Sequence, residues 1–180
     1  MTKSRIILTS FVCLLFVLAG CAKSAITPTA QRAETQSKPP EAKRIVSTNV
    51  IRAETNPTQI SVGSFGEVIV RLTIEPGYHI NANPPTYSYL KATELEIAEA
   101  DGVSVNSVYY PPPLSKKLAF AEKPVAVYEG TTELKVTLEA DRSAKKGGRS
   151  ISAKLHVQAC DEQVCYPPGT LDLTIPVSIR

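Results

Sequence analysis

Cys160 and Cys165 are the residues whose type and spacing could do chemistry in this chain of 180 residues. They lie in the stretch Ala159-Cys160-Asp161-Glu162-Gln163-Val164-Cys165-Tyr166-Pro167-Pro168. Two thiols this close can make a structural staple, a reversible disulfide, or part of a soft-metal site. In the chain-entropy picture a cross-link stabilises more as its loop lengthens, and about 3 kcal/mol needs roughly 15 residues. So short a ring gives less, which makes it a weak staple for a domain with a sizeable core. Reversible exchange needs reachable sulfurs and a ring that closes easily, and the spacing suits it. A metal site would combine the two thiolates with His156, and with His79 if it lies nearby, a set suited to copper(I) or zinc. The spacing matches no common zinc pattern, and His156 reads more simply as an outward strand residue. Staple, exchange and metal binding all stay open on these residues.

Export bears on the choice, because disulfides persist in oxidising compartments. Lys3 and Arg5 precede an apolar run from Ile6 to Leu18, and Leu18-Ala19-Gly20-Cys21 follows. A basic start, an apolar core of this length and small residues at the cut predict a signal peptide over residues 1–20. The run is short for a membrane span, which takes about 20 apolar residues. The Leu-Ala-Gly-Cys sequence resembles the bacterial lipobox. That resemblance implies that Cys21 is lipidated and becomes the mature N-terminus; the plainer alternative is an ordinary secretory signal with an incidental cysteine. Ala22 stands where Asp would retain such a lipoprotein at the inner membrane, so an outer-membrane anchor facing the periplasm is expected. Cys13 would leave with the signal, and Cys160 and Cys165 remain for a disulfide.

Residues 21–43 are rich in Ala, Lys, Ser, Thr, Gln, Pro and Glu, and they hold one large aliphatic residue, Ile26. Such a segment buries too little apolar surface to offset its ordering entropy and reads as a tether. Its root-mean-square reach would be about 25 Å. Residues 44–180 are the length of one domain. The net charge of +3 falls close to neutrality once Lys3 and Arg5 are removed. With no basic stripe, nothing points to nucleic acid as a partner.

The elements that must position the cysteines are strands. Val68 to Ile74, Leu134 to Leu138, Ile151 to Ala159 and Leu171 to Ile179 alternate apolar and polar residues, the signature of half-buried strands. Arg44 to Arg52, Thr93 to Ala98, Val103 to Tyr109 and Val125 to Tyr128 are further expected strands. Turn formers at Gly63 to Gly66, Pro76-Gly77, Asp101-Gly102, Glu129-Gly130 and Lys145 to Gly148 separate them. No segment carries a capped helical stripe. The pattern predicts an all-β, immunoglobulin-like antiparallel β-sandwich. Pro176 marks the last strand as an edge or a bulge. Two proline- and aromatic-rich segments, Asn81 to Tyr89 and Tyr109 to Pro124, are candidates for shaping a site. By strand parity, odd positions from Ile151 to Ala159 face the core, so a regular continuation would point Cys160 away from it, toward solvent or a covering loop. No certain histidine, lysine or arginine sits beside the pair to acidify a thiol, and Asp161 and Glu162 would oppose ionisation.

The Cys-x4-Cys-Tyr-Pro-Pro element at Cys160 to Pro168 resembles the N-terminal periplasmic domain of the thiol:disulfide interchange protein DsbD. So do Pro76-Gly77-Tyr78-His79-Ile80-Asn81-Ala82-Asn83-Pro84-Pro85 and Val125-Ala126-Val127-Tyr128-Glu129-Gly130. The resemblance covers roughly residues 50–180. It implies an immunoglobulin-like domain whose cysteines form a reversible disulfide that relays electrons without a cofactor. Cys165 would form the mixed disulfide with a partner and Cys160 would resolve it. Phe120 matches the aromatic residue of a cap loop that shields the pair, and Tyr78, His79 and Tyr166 would neighbour the site. The implied partners are thioredoxin-like redox proteins and a membrane thiol-electron transporter, here on separate chains. Two departures stand out. The cysteine spacing is one residue shorter than in the best-known member, and Lys116-Lys117-Leu118-Ala119 occupies the cap where an acidic residue is expected. The alternative function is a non-enzymatic envelope binding module with a structural disulfide.

Overall fold

Alternation of apolar residues builds two sheets whose inner faces meet. The computed structural model describes residues 45–180; the expected signal peptide (1–20), Cys21 and the tether (21–43) lie outside the described residues. Strands are numbered in chain order. One sheet has the order β1 (Ile51–Thr55), β3 (Phe65–Ile74), β9 (Thr131–Ala140) and β6 (Val103–Tyr109). It contributes Val68, Val70, Leu72, Leu134, Val136 and Leu138 to the core. The facing sheet has the order β2 (Thr58–Ile60), β12 (Gly169–Ile179), β10 (Gly147–Val157) and β5 (Glu94–Ile97). It contributes Ile151, Leu155, Val157, Ile175 and Val177. All pairings are antiparallel except β2 with β12. The result is an immunoglobulin-like β-sandwich, as the alternation predicts.

A third, smaller sheet sits at one end and carries the cysteines. Its order is β11 (Ala159–Cys160), β4 (His79–Asn81), β8 (Val125–Tyr128) and β7 (Leu114–Lys116). β4 and β7 lie in or beside the two proline-rich segments, whose short runs show too little alternation to be read as strands. Pro176 pairs with Ser150 of β10, and the other side of β12 meets β2 only from Val177 onward. The residue without an N–H therefore sits where no neighbour asks for one.

The first expected strand departs from the reading. Ser47–Val50 forms a 3₁₀ turn, and the strand starts at Ile51. Ser47 explains the break. Its Oγ donates to the carbonyl of Pro167 at 2.6 Å and accepts from the amide of Ala159 at 2.9 Å. A short hydroxyl side chain competes well with a strand ladder in this way. One buried serine thus ties the residues on either side of the cysteine hairpin. Gly169, just beyond, is required by packing: a Cβ there would lie 2.6 Å from Cγ2 of Thr48.

Ser47→Ala removes both bonds and leaves the buried amide of Ala159 without its partner. The oxidised protein should lose about 1–3 kcal/mol of stability in urea denaturation. Ser115→Ala, on the exposed middle of β7, should stay within about 0.5 kcal/mol of the parent.

Candidate functional site

Cys160 and Cys165 are joined by a disulfide. Their surroundings differ sharply. Cys160 is fully buried, whereas Cys165 is half-buried and packs against a small apolar cluster. Ala159 joins the main core cluster and Cys160 does not, in keeping with parity, but Cys160 is fully covered rather than open to solvent. β10 ends at Val157, the chain shifts at Gln158, and Ala159–Cys160 joins β4 in the third sheet. The cover over Cys165 comes from a loop, one of the two destinations that parity allowed for its partner.

The hairpin between the cysteines is held by Asp161. Its Oδ1 accepts from the amides of Gln163 and Val164, both at 2.8 Å, and its Oδ2 accepts from the Tyr166 hydroxyl at 2.6 Å. The Asp161 amide donates to Val164 O at 2.9 Å, and the Tyr166 amide donates to Ala159 O at 2.8 Å. These bonds close the same small ring as the disulfide. The Tyr166 hydrogen bond holds the Asp161 carboxyl below its ordinary range, with help from the Gln163 amide. The same bond pushes Tyr166 up to about 12. Sequence reasoning treated Asp161 only as a charge opposing thiol ionisation. Its role as hairpin organiser could have been read from its place at the head of a short turn, where Asp commonly bonds to the amides ahead of it.

The cap is the segment from Lys117 to Pro124. Leu118, Ala121, Val125, Val127 and Leu90 form its apolar base, with Tyr87, Phe120 and Cys165 packed against them. Its backbone docks on the hairpin through the Ala119 amide, which donates to Glu162 O at 3.2 Å. Lys117 donates to Glu122 O at 2.9 Å, and the Lys123 amide donates to the Tyr87 hydroxyl at 2.9 Å. The lysines that stand where acid was expected therefore supply cap contacts of their own. Lys116 pairs with Glu129.

Of the expected neighbours, Tyr78 and Tyr166 meet as a tilted pair with ring centroids 5.9 Å apart. His79 is the cross-strand partner of Cys160 and is fully buried. Burial, then Lys116, hold its pKa below the ordinary value, against the opposing pull of Glu129, Asp161 and Glu162. Asn81, which sequence reasoning did not single out, places Oδ1 4.0 Å from Cys160 Sγ. Its amide group is oriented by donation to Lys91 O and Gln158 Oε1, both at 3.1 Å. His156 lies elsewhere, on β10, with Glu96 at 3.2 Å and Thr170 at 3.0 Å. Among the described residues no group of three or more His, Cys, Asp or Glu side chains is arranged to hold a metal.

An immunoglobulin-like sandwich with a capped hairpin disulfide at one end defines a recognisable class of domain. Residues 49–175 match the family described as "Thiol:disulfide interchange protein DsbD, N-terminal", and the chain belongs to that family. Among solved structures it is similar to the N-terminal periplasmic domain of ScsB from Proteus mirabilis. The TM-score is 0.51 at 14% identity, over 72% of this chain and 47% of that one. The chain thus spans about half of that structure, and at this identity the likeness concerns the fold. A second similar structure is the reduced N-terminal domain of DsbD from Neisseria meningitidis, at 22% identity and a TM-score of 0.41, over 62% of this chain and 77% of that one. No curated protein matches the chain.

The Asp161 bonds give a pH signature. A carboxyl whose pKa is lowered in the fold adds stability above its unfolded value, and that stability is lost as pH falls through the folded value. Asp161→Asn should lower the melting temperature of the oxidised protein at pH 7 by about 3–6 °C, the shift expected for about 1 kcal/mol. The gap between parent and variant should close as pH drops below about 4, where the parent carboxyl takes up its proton. Thermal melts across pH 2–7 check this.

Proposed function

We propose that the domain relays electrons between separate redox proteins through reversible opening of the Cys160–Cys165 bond. Cys165 exchanges with the partner and Cys160 resolves the mixed disulfide. The observation that carries this reading is the asymmetry of the two cysteines: Cys160 is fully buried, and Cys165 is half-buried beneath the Phe120 cluster. An incoming thiolate can approach only the sulfur it can reach. The hydrogen bonds across the hairpin also favour exchange over a staple, because the ring stays closed without the covalent bond.

The cap is the natural gate. Phe120 is half-buried, and its loop holds to the hairpin by the single Ala119–Glu162 backbone bond. Thioredoxin-like proteins and a membrane thiol-electron transporter are the expected partners. Membership of the interchange family supports redox partners in general. A periplasm-facing position, with lipid on Cys21 and a tether through residue 43, fits a domain that must meet partners at a membrane.

Cys160→Ala should accumulate a covalent adduct through Cys165 in periplasmic extract, visible on non-reducing gels and released by dithiothreitol. Phe120→Ala in the same background should raise the yield several-fold, and the Cys160→Ala, Cys165→Ala double variant should give none. An adduct-free Cys160→Ala protein would contradict the relay.

A further inference from the structure

Opening the disulfide creates an electrostatic problem at Cys160. A partner thiolate that attacks Cys165 expels Cys160 as a thiolate, at a position with no exposed surface. An unpaired charge there is costly and must find a proton or a counter-ion. The side chain that faces Cys160 across the sheet is His79. The two residues are direct partners in the β4–β11 pairing, which sets their Cβ atoms about 4.5–5.5 Å apart on one face. His79 is itself fully buried, and neither ring nitrogen has a hydrogen-bond partner. A buried imidazole with both nitrogens unpaired calls for an explanation.

We propose that His79 carries the proton of the Cys160 thiol, taking it when Cys160 attacks and returning it when Cys160 leaves. This rests on the interchange reading above. In the direction that reduces a partner, the Cys165 thiolate attacks the partner disulfide. One partner sulfur leaves with the electron pair and takes a proton from solvent. Cys160 then gives its proton to His79 and attacks Cys165 Sγ. The Cys160–Cys165 bond forms and the mixed disulfide breaks. The electron pair departs on the second partner sulfur, and the imidazolium discharges to solvent. The second partner sulfur then takes its proton from solvent, so two electrons pass to the partner while the Cys160 proton leaves through His79. In the reverse direction His79 takes up a proton from solvent and passes it to the departing Cys160 sulfur.

The groups around His79 fit this task. Its pKa lies below the ordinary value, so at neutral pH the ring is uncharged and can accept. Glu129 places a carboxylate oxygen 4.0 Å from Nδ1, ready to stabilise the imidazolium once it forms. Asp161 and Glu162 of the hairpin act in the same sense, and Lys116 of β7 opposes them. Asn81 Oδ1 presents an acceptor to Cys160 Sγ, which favours the protonated thiol over a free thiolate and makes a proton carrier necessary.

The reduced chain carrying Cys13→Ser and Cys21→Ser, mixed with 5,5′-dithiobis(2-nitrobenzoate), separates the two steps in stopped flow. The first release of nitrothiobenzoate reports attack by Cys165, and the second reports attack by Cys160 on the mixed disulfide. The parent should release two equivalents, with a second phase that slows as pH falls through the lowered His79 value, below about 6.5. His79→Gln should leave the first phase unchanged and slow the second about a hundredfold at pH 7, with that inflection lost. Glu129→Gln alters a partly exposed side chain outside the core and should move the inflection to lower pH. A second phase in His79→Gln that matches the parent in rate and pH profile overturns the proposal. If that variant fails to fold, an unmoved inflection in Glu129→Gln overturns it instead. Release of a single equivalent by the parent would sink the interchange reading itself.

Discussion

Everything at the functional end of the molecule depends on Cys160 leaving the main sandwich and pairing with β4. β10 runs straight and buries alternate residues as far as Val157. After Gln158 the chain commits two residues to another sheet. That switch buries one cysteine fully and turns the chain back so that the other is only half-buried. On the proposed reading, this difference orders the two cysteines in exchange, and the charge released at Cys160 needs a group to receive it.

The surrounding structure divides into a rigid frame and a removable cover. Ser47 and Asp161 belong to the frame: between them they satisfy five donors and acceptors around the hairpin. With these bonds in place the hairpin need not collapse when the disulfide opens, so both redox states can share one backbone. The cover is the Phe120 cluster, built from few residues and set apart from the sandwich core. Its lysines hold it through backbone carbonyls and Glu129 rather than through acidic side chains. On the proposed reading, a cover of this kind would protect the bond from casual thiols and yield to a partner that brings apolar surface of its own.

The strands of the sandwich were legible because each buries one face over many residues. Val68 to Ile74, Leu134 to Leu138 and Ile151 to Val157 declare themselves by alternation alone. The short strands of the third sheet do not, since two or three residues cannot establish a period. Ser47, Asn81 and the pairing of His79 with Cys160 escaped for a different reason. Their contacts join residues far apart in sequence, 112 positions for Ser47 with Ala159 and 79 for Asn81 with Cys160. Local pattern carries no signal for such pairs. The cysteine motif itself was readable, because the two cysteines and the Tyr-Pro-Pro exit lie in one segment.

The central claim is that this disulfide opens and closes in use, and its reduction potential tests that most directly. The measurement is equilibration of the chain carrying Cys13→Ser and Cys21→Ser in glutathione and dithiothreitol redox buffers, with the thiol state of Cys160 and Cys165 read by alkylation and mass shift. An exchanging bond should lie above about −300 mV, within reach of thioredoxin-like partners. A value well below about −300 mV would mark a structural bond and contradict the account.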